Sequence, residues 1–200
     1  MSIYEQMNEQ TQRKIEKTFL KLMEEKDFSK ISVRDITTNS TINRGTFYIH
    51  YADKYELLEK IEFKLLNGLE QASVLLQPEQ VLKEAKEGAL SPFSIQVFEF
   101  IAQHRQEFKV MLSEHNQSGF MKRLQRFFLE QFTKKYENHE LILADSGLPI
   151  RYFAGFAASA FLGVIEQWLT SEKEETPEQI ANYYVRIILS IQQFNDRMLF

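Results

Sequence analysis

The 200-residue chain has no cysteine. This removes disulfides, thiolate zinc sites and cysteine nucleophiles together, and fits a reducing compartment. No basic-then-apolar leader occupies residues 1–25, and no window reaches the ~18 unbroken apolar residues of a membrane span, so a cytoplasmic protein with no membrane partner is expected. Four histidines are present, but His104, His115 and His139 form no close ligand set such as HExxH, and no metal or cofactor is expected. A nucleophile–base pair and a glycine-rich phosphate loop are missing too, so nothing favours an enzyme. Basic excess is also lacking. The formal charge is −4, with 24 Lys and Arg against 28 Asp and Glu.

That deficit is unevenly placed. Residues 1–60 carry 10 basic and 10 acidic side chains, and residues 61–200 carry 14 and 18. Within 30–54, Lys30, Arg34, Arg44 and Lys54 face only Asp35 and Asp53. Phosphate neutralisation needs local cations rather than a basic total, and this island suits a small DNA footprint.

What the chain has in quantity is helical periodicity, with 44% hydrophobic residues, enough for a substantial core. An all-α fold is predicted: an N-terminal three-helix head over 1–52 and a larger helical ligand-binding and dimerisation body over 53–200. The first helix should run from about 9 to 26, with Ile15, Phe19, Leu22 and Met23 on one stripe. Ser32 and Asp35 form a capping box for a helix over 33–39, and Asn43 is a good N-cap for another over 44–50. Asp53 with Glu56 opens a long fourth helix bearing Leu57, Leu58, Ile61, Leu65 and Leu69 to about residue 75. Residues 77–90 read as a loop or weak helix. Ser91-Pro92 opens a helix to about 104, and others follow near 105–113, 118–140 and 149–170. A last helix over 177–197 is opened by Thr176-Pro177-Glu178-Gln179.

Two short capped helices about three residues apart, propped by a third, are the geometry that presents a recognition helix to the major groove. Val33, Ile36, Ile42 and Phe47 would pack them together, leaving Arg44, Thr46, Tyr48 and His50 outward. Gly45, without a Cβ, would let a phosphate approach the first helical turn. Tyr48, His50 and Lys54 would grip phosphates, while Arg44 and Thr46 could reach base edges.

The run Ser32-Val-Arg-Asp-Ile36, then Asn43-Arg-Gly-Thr-Phe-Tyr-Ile-His-Tyr51, then Lys54 and Leu57, resembles the DNA-binding head of the tetracycline-repressor family over residues 11–60. The resemblance implies DNA contact at Ser32, Arg34, Asn43, Arg44, Gly45, Thr46, Tyr48, His50 and Lys54. It also implies a homodimer on a near-palindromic operator, with repression relieved by a small-molecule effector. Control by a protein partner, without a small-molecule pocket, is the alternative. The turn departs from the family pattern: Ser40-Thr41-Ile42-Asn43 stands where a small residue, Gly, Val and Ser are usual. A left-handed Thr41 would be strained by ~1 kcal/mol or more.

The remaining residues resemble the family more loosely. The stretch from Ile101 to Ser113, Gly119-Phe120, Tyr152-Phe-Ala-Gly-Phe156 and Glu166-Gln-Trp-Leu169 are similar to the subgroup that regulates dihydroxyacetone-kinase genes. An apolar effector cavity is implied, with Phe98, Phe108, Phe127 and Phe153 as candidate lining. Residues 153–169 are apolar around most of the helix circumference and include small residues. Together with the final helix they suggest a four-helix dimer seam through Phe156, Ser159, Gly163, Trp168, Tyr184, Ile188 and Ile191.

Overall fold

The computed structural model describes residues 2–198, apart from 76, 78–79, 82, 85–86, 89, 91, 114–115, 117 and 138–148. The side chains of 92–94, 136–137, 150 and 191–198 also fall outside the description. His115, His139, the Ser91 cap and the Ile191 side chain therefore lie outside the described residues.

Among the described residues the secondary structure is helical throughout. The helices are α1 (Ile3–Glu25), α2 (Val33–Asn39), α3 (Arg44–His50), α4 (Lys54–Ser73), α5 (Pro92–Gln103), α6 (Arg105–Met111), α7 (Phe120–Glu137), α8 (Ile150–Thr170) and α9 (Pro177–Met198). A 3₁₀ turn at Phe28–Lys30 separates α1 from α2. Short helical turns also occur in 77–90, where the Val81 amide donates to the Gln77 carbonyl at 3.0 Å.

Side-chain caps set most of the starts. Thr176 and Gln179 cap α9 reciprocally, at 3.2 and 2.9 Å. Asp53 accepts the Tyr55 and Glu56 amides at 2.8 and 2.9 Å to open α4. The exception to expectation is α1, which begins at Ile3 rather than near residue 9 because Ser2 and Glu5 form a capping box of their own. Its residues through Gln10 are exposed, and burial begins at Ile15.

Packing divides the chain into two compact units, residues 1–66 with 106–121, and residues 67–105 with 122–200. This cut differs in kind from the boundary expected at 52, which marks the end of the helix-turn-helix motif. The first unit is centred on Ile15, Phe19, Met23, Ile36, Phe47, Tyr51 and Leu57, with Phe108, Met111 and Phe120 from the later segment.

The second unit is built around aromatic rings. Phe161 lies 5.2 Å from Phe98, 4.8 Å from Phe128 and 5.0 Å from Tyr184. Arg105 donates to the Trp168 carbonyl at 2.6 Å, and the Trp168 indole donates to the Glu175 carbonyl at 3.0 Å. Lys135 caps the end of α4 through the Ser73 carbonyl at 2.8 Å. Gly68 lets the Phe100 ring lie directly on α4, because a Cβ there would fall 2.0 Å from the ring.

Two expectations need correction here. Trp168 is 2% exposed and belongs to the core of the second unit rather than to a dimer seam, and Tyr184 is half-buried with its ring against Phe98 and Phe161. Phe108 is buried in the first unit, whereas Phe98, Phe127 and Phe153 belong to the second, so these four side chains do not line one pocket within a unit. One helix, Arg151–Thr170, is long and apolar enough by composition to cross a membrane. Its Ala154, Ala157, Ala158, Phe161, Leu162, Ile165 and Leu169 are nonetheless buried inside the second unit, as in the central helix of a bundle.

Candidate nucleic-acid interface

The site is assembled from the short α2–α3 pair, so its geometry depends on caps and a few buried side chains. The Ser32 hydroxyl accepts the Asp35 amide at 3.2 Å, while the Ser32 amide donates back to the Asp35 carboxylate at 2.8 Å. Lys26 adds an ion pair to the same carboxylate at 3.1 Å. These bonds hold the Asp35 pKa at about 2, below its ordinary 3.8, with the Ser32 bonds the largest cause. Ile36 and Thr37 are the buried side of α2.

The turn that follows is left-handed at Thr41, with φ 52°. The strain considered for a β-branched residue here is therefore present, and the turn keeps the shape that glycine would favour. Ser40 is buried and donates to the Ile36 carbonyl at 2.6 Å. The Ile42 amide donates back to Thr37 at 3.1 Å. Asn43 then caps α3 by accepting the Gly45 amide at 2.9 Å.

Phe47 is the buried anchor of α3, and Tyr51, just beyond its end, is buried against it at 5.7 Å between ring centroids. The Tyr51 hydroxyl donates to Glu16 of α1 at 3.0 Å. Burial and the Glu16 charge push the Tyr51 pKa up, so it stays a neutral donor.

With Phe47 turned inward, Arg44, Gly45, Tyr48 and Ile49 are exposed and Thr46 and His50 are half-buried. Ser32, Arg34 and Asn43 are exposed as well. The Arg44 guanidinium donates to the Tyr48 hydroxyl through Nε at 3.1 Å and Nη2 at 2.9 Å, which links the two outward side chains one turn apart. Burial, with Lys60 nearby, pushes the His50 pKa below its usual value, so the ring is neutral near pH 7.

Lys54 is placed differently from the phosphate-facing role expected of it. Its ammonium donates to the Phe28, Ser29 and Ile31 carbonyls at 3.0, 3.1 and 2.7 Å and lies 4.6 Å from the Phe28 ring centroid. All three donors are thus directed at the chain's own backbone. Conversely, Ile49 was no candidate from sequence, yet it is 77% exposed one turn after Gly45, on the same outward face. Its i+4 spacing from Gly45 was the available signal.

Comparison with known proteins agrees with this arrangement. Residues 18–61 match the family model described as bacterial regulatory proteins, tetR family, and residues 89–190 match one described as a transcriptional regulator C-terminal region. The chain is 28% identical over 185 residues to the HTH-type transcriptional regulator YxbF of Bacillus subtilis (strain 168). That match covers 89% of the chain but 44% of the relative, so the chain spans less than half of that curated protein's length.

Among solved structures, a TetR transcriptional regulator from Streptococcus agalactiae 2603V shares the fold at 19% identity and TM-score 0.59, covering 93% of this chain and 97% of that one. The dihydroxyacetone kinase operon activator DhaS, 18% identical, matches with TM-score 0.50 over 92% of this chain and 97% of its own. With a head of helix-turn-helix geometry and family models matching both the head and the C-terminal region, the chain belongs to the tetR family of bacterial regulatory proteins.

Proposed function

We propose that the chain is a DNA-binding transcriptional regulator, a repressor that acts in the cytoplasm as a homodimer and leaves its operator when a small-molecule effector binds. The observation that carries this reading is α3: Phe47 is buried while Arg44, Gly45 and Tyr48 are exposed, with Thr46 beside them. Such a helix, crossed by a capped partner, can enter the major groove with its N-terminal residues at base edges. Ser32, Arg34, Asn43 and His50 would contact the flanking phosphates. No cofactor is needed for any of this.

A second copy is supported by the outer face of the second unit. Tyr152, Phe156, Ser159 and Gly163 are exposed at helical spacing on α8, and Tyr183 and Ile187 are exposed on α9, with Ile188 half-buried beside them. A Cβ at Gly163 would meet nothing within 4 Å, which leaves room for another helix. Two heads joined through this face would read half-sites ~34–36 Å apart. Phe127 and Phe153, both half-buried in the second unit, remain candidates for an effector site. An effector would act by binding one of two states better and shifting α4, which contributes residues to both units.

The test is salt-dependent binding to a duplex that the protein itself enriches from a random pool. Arg44→Ala should weaken that binding by ~1–3 kcal/mol and relax sequence preference. Unchanged preference by fluorescence anisotropy would remove Arg44 from base reading.

A further inference from the structure

α3 is only seven residues long, and Phe47 is its buried anchor. A helix so short needs fixing at both ends if its outward side chains are to keep one orientation. At its C-terminal end the Tyr51 hydroxyl is bonded to Glu16 of α1 at 3.0 Å. At its N-terminal end the turn is strained, because Thr41 has φ 52°. Strained backbone persists where its surroundings over-determine it. The Thr41 hydroxyl donates to the Ser40 carbonyl at 2.7 Å and accepts from the Lys14 ammonium at 2.8 Å, 27 residues away. Lys14 and Glu16 are two residues apart on α1, so one stretch of that helix reaches both ends of the α3 region.

We propose that Lys14 is a positioning residue of the helix-turn-helix: it ties the Thr41 hydroxyl to α1 and so holds the left-handed turn that sets how α3 presents Arg44, Thr46 and Tyr48. The inference rests on the reading of α3 as the DNA-reading helix. An exposed lysine beside a DNA-binding surface invites the simpler idea that it neutralises a phosphate. The two ideas differ in their dependence on Thr41. A phosphate contact is indifferent to the threonine hydroxyl, whereas a tether vanishes with it.

The experiment is a double-mutant cycle on the full chain with Lys14→Met, Thr41→Val and the pair. Affinity is measured for a duplex enriched by the unmutated protein from a random pool and for an unrelated duplex, with thermal unfolding followed in parallel. Each single variant should lose three- to tenfold for the enriched duplex and less than twofold for the unrelated one. The pair should be no weaker than either single, and Lys14→Arg should return affinity to within twofold. Additive losses, or equal losses on both duplexes with a shallower salt dependence, would overturn the tether in favour of a phosphate contact. If the unmutated protein enriches no sequence, the DNA-reading conclusion fails by itself. The melting cycle then still decides the tether: non-additive shifts support it and additive shifts overturn it.

Discussion

Single charged residues hold the head together through bonds that titration or deletion can measure. Asp35 has its pKa lowered to about 2 from 3.8 by the Ser32 and Lys26 interactions. A depressed carboxylate pKa stabilises the fold above the unfolded value and loses that contribution as pH falls from about 4 toward 2. The gain is ~1 kcal/mol once solvent screening of a side chain 36% exposed is allowed for. Urea midpoints of Asp35→Asn should therefore converge on those of the unmutated chain at pH 2 and fall below them at pH 6. Lys54 offers a second test. With its donors on three carbonyls, Lys54→Ala should cost ~1–3 kcal/mol in the same measurement. A large drop in the salt dependence of DNA binding, with stability unchanged, would restore Lys54 to the phosphate-binding set.

At the scale of elements, one close approach between helices depends on an absent side chain. Gly68 of α4 lies under Phe100 of α5, and a methyl group there cannot be accommodated without moving the ring. Gly68→Ala should lower stability by ~1–3 kcal/mol through overpacking. Adding Phe100→Leu should recover much of the loss, since alanine is the better helix former by ~1 kcal/mol. Calorimetric melting of the single and double variants checks both. Helix starts were legible in the sequence because caps are local: Ser32 with Asp35, Asn43, Asp53 with Glu56 and Thr176 with Gln179 all act within four residues. The start of α1 was obscured because its Ser2–Glu5 box precedes the apolar stripe by ten residues. On α3, Thr46 and His50 of the expected outward set are half-buried, while the exposed positions of Arg44 and Tyr48 were legible for the same local reason, through the period around Phe47. Trp168, Tyr184 and Lys54 were not, because their partners lie on other elements or many residues away. Periodicity shows that a face is apolar without showing which neighbour covers it.

For the whole molecule, the exposed face of α8 and α9 is where the proposed second copy would dock. Phe156 is 48% and Ile187 44% exposed, so charges there can be introduced without opening the core of a subunit. Ile187→Glu should give a folded monomer by sedimentation that binds the enriched duplex at least tenfold more weakly, because one head contacts only a half-site. A dimer of unchanged affinity would move the seam elsewhere. The division of packing has its own consequence for dissecting the chain. The first unit draws Phe108, Met111 and Phe120 from beyond residue 105 into its interior. A recombinant fragment ending at 66 would leave that interior incomplete and open to water. Its poor solubility would then report on the cut, and a useful minimal head must carry residues 106–121 in cis or receive them as a peptide.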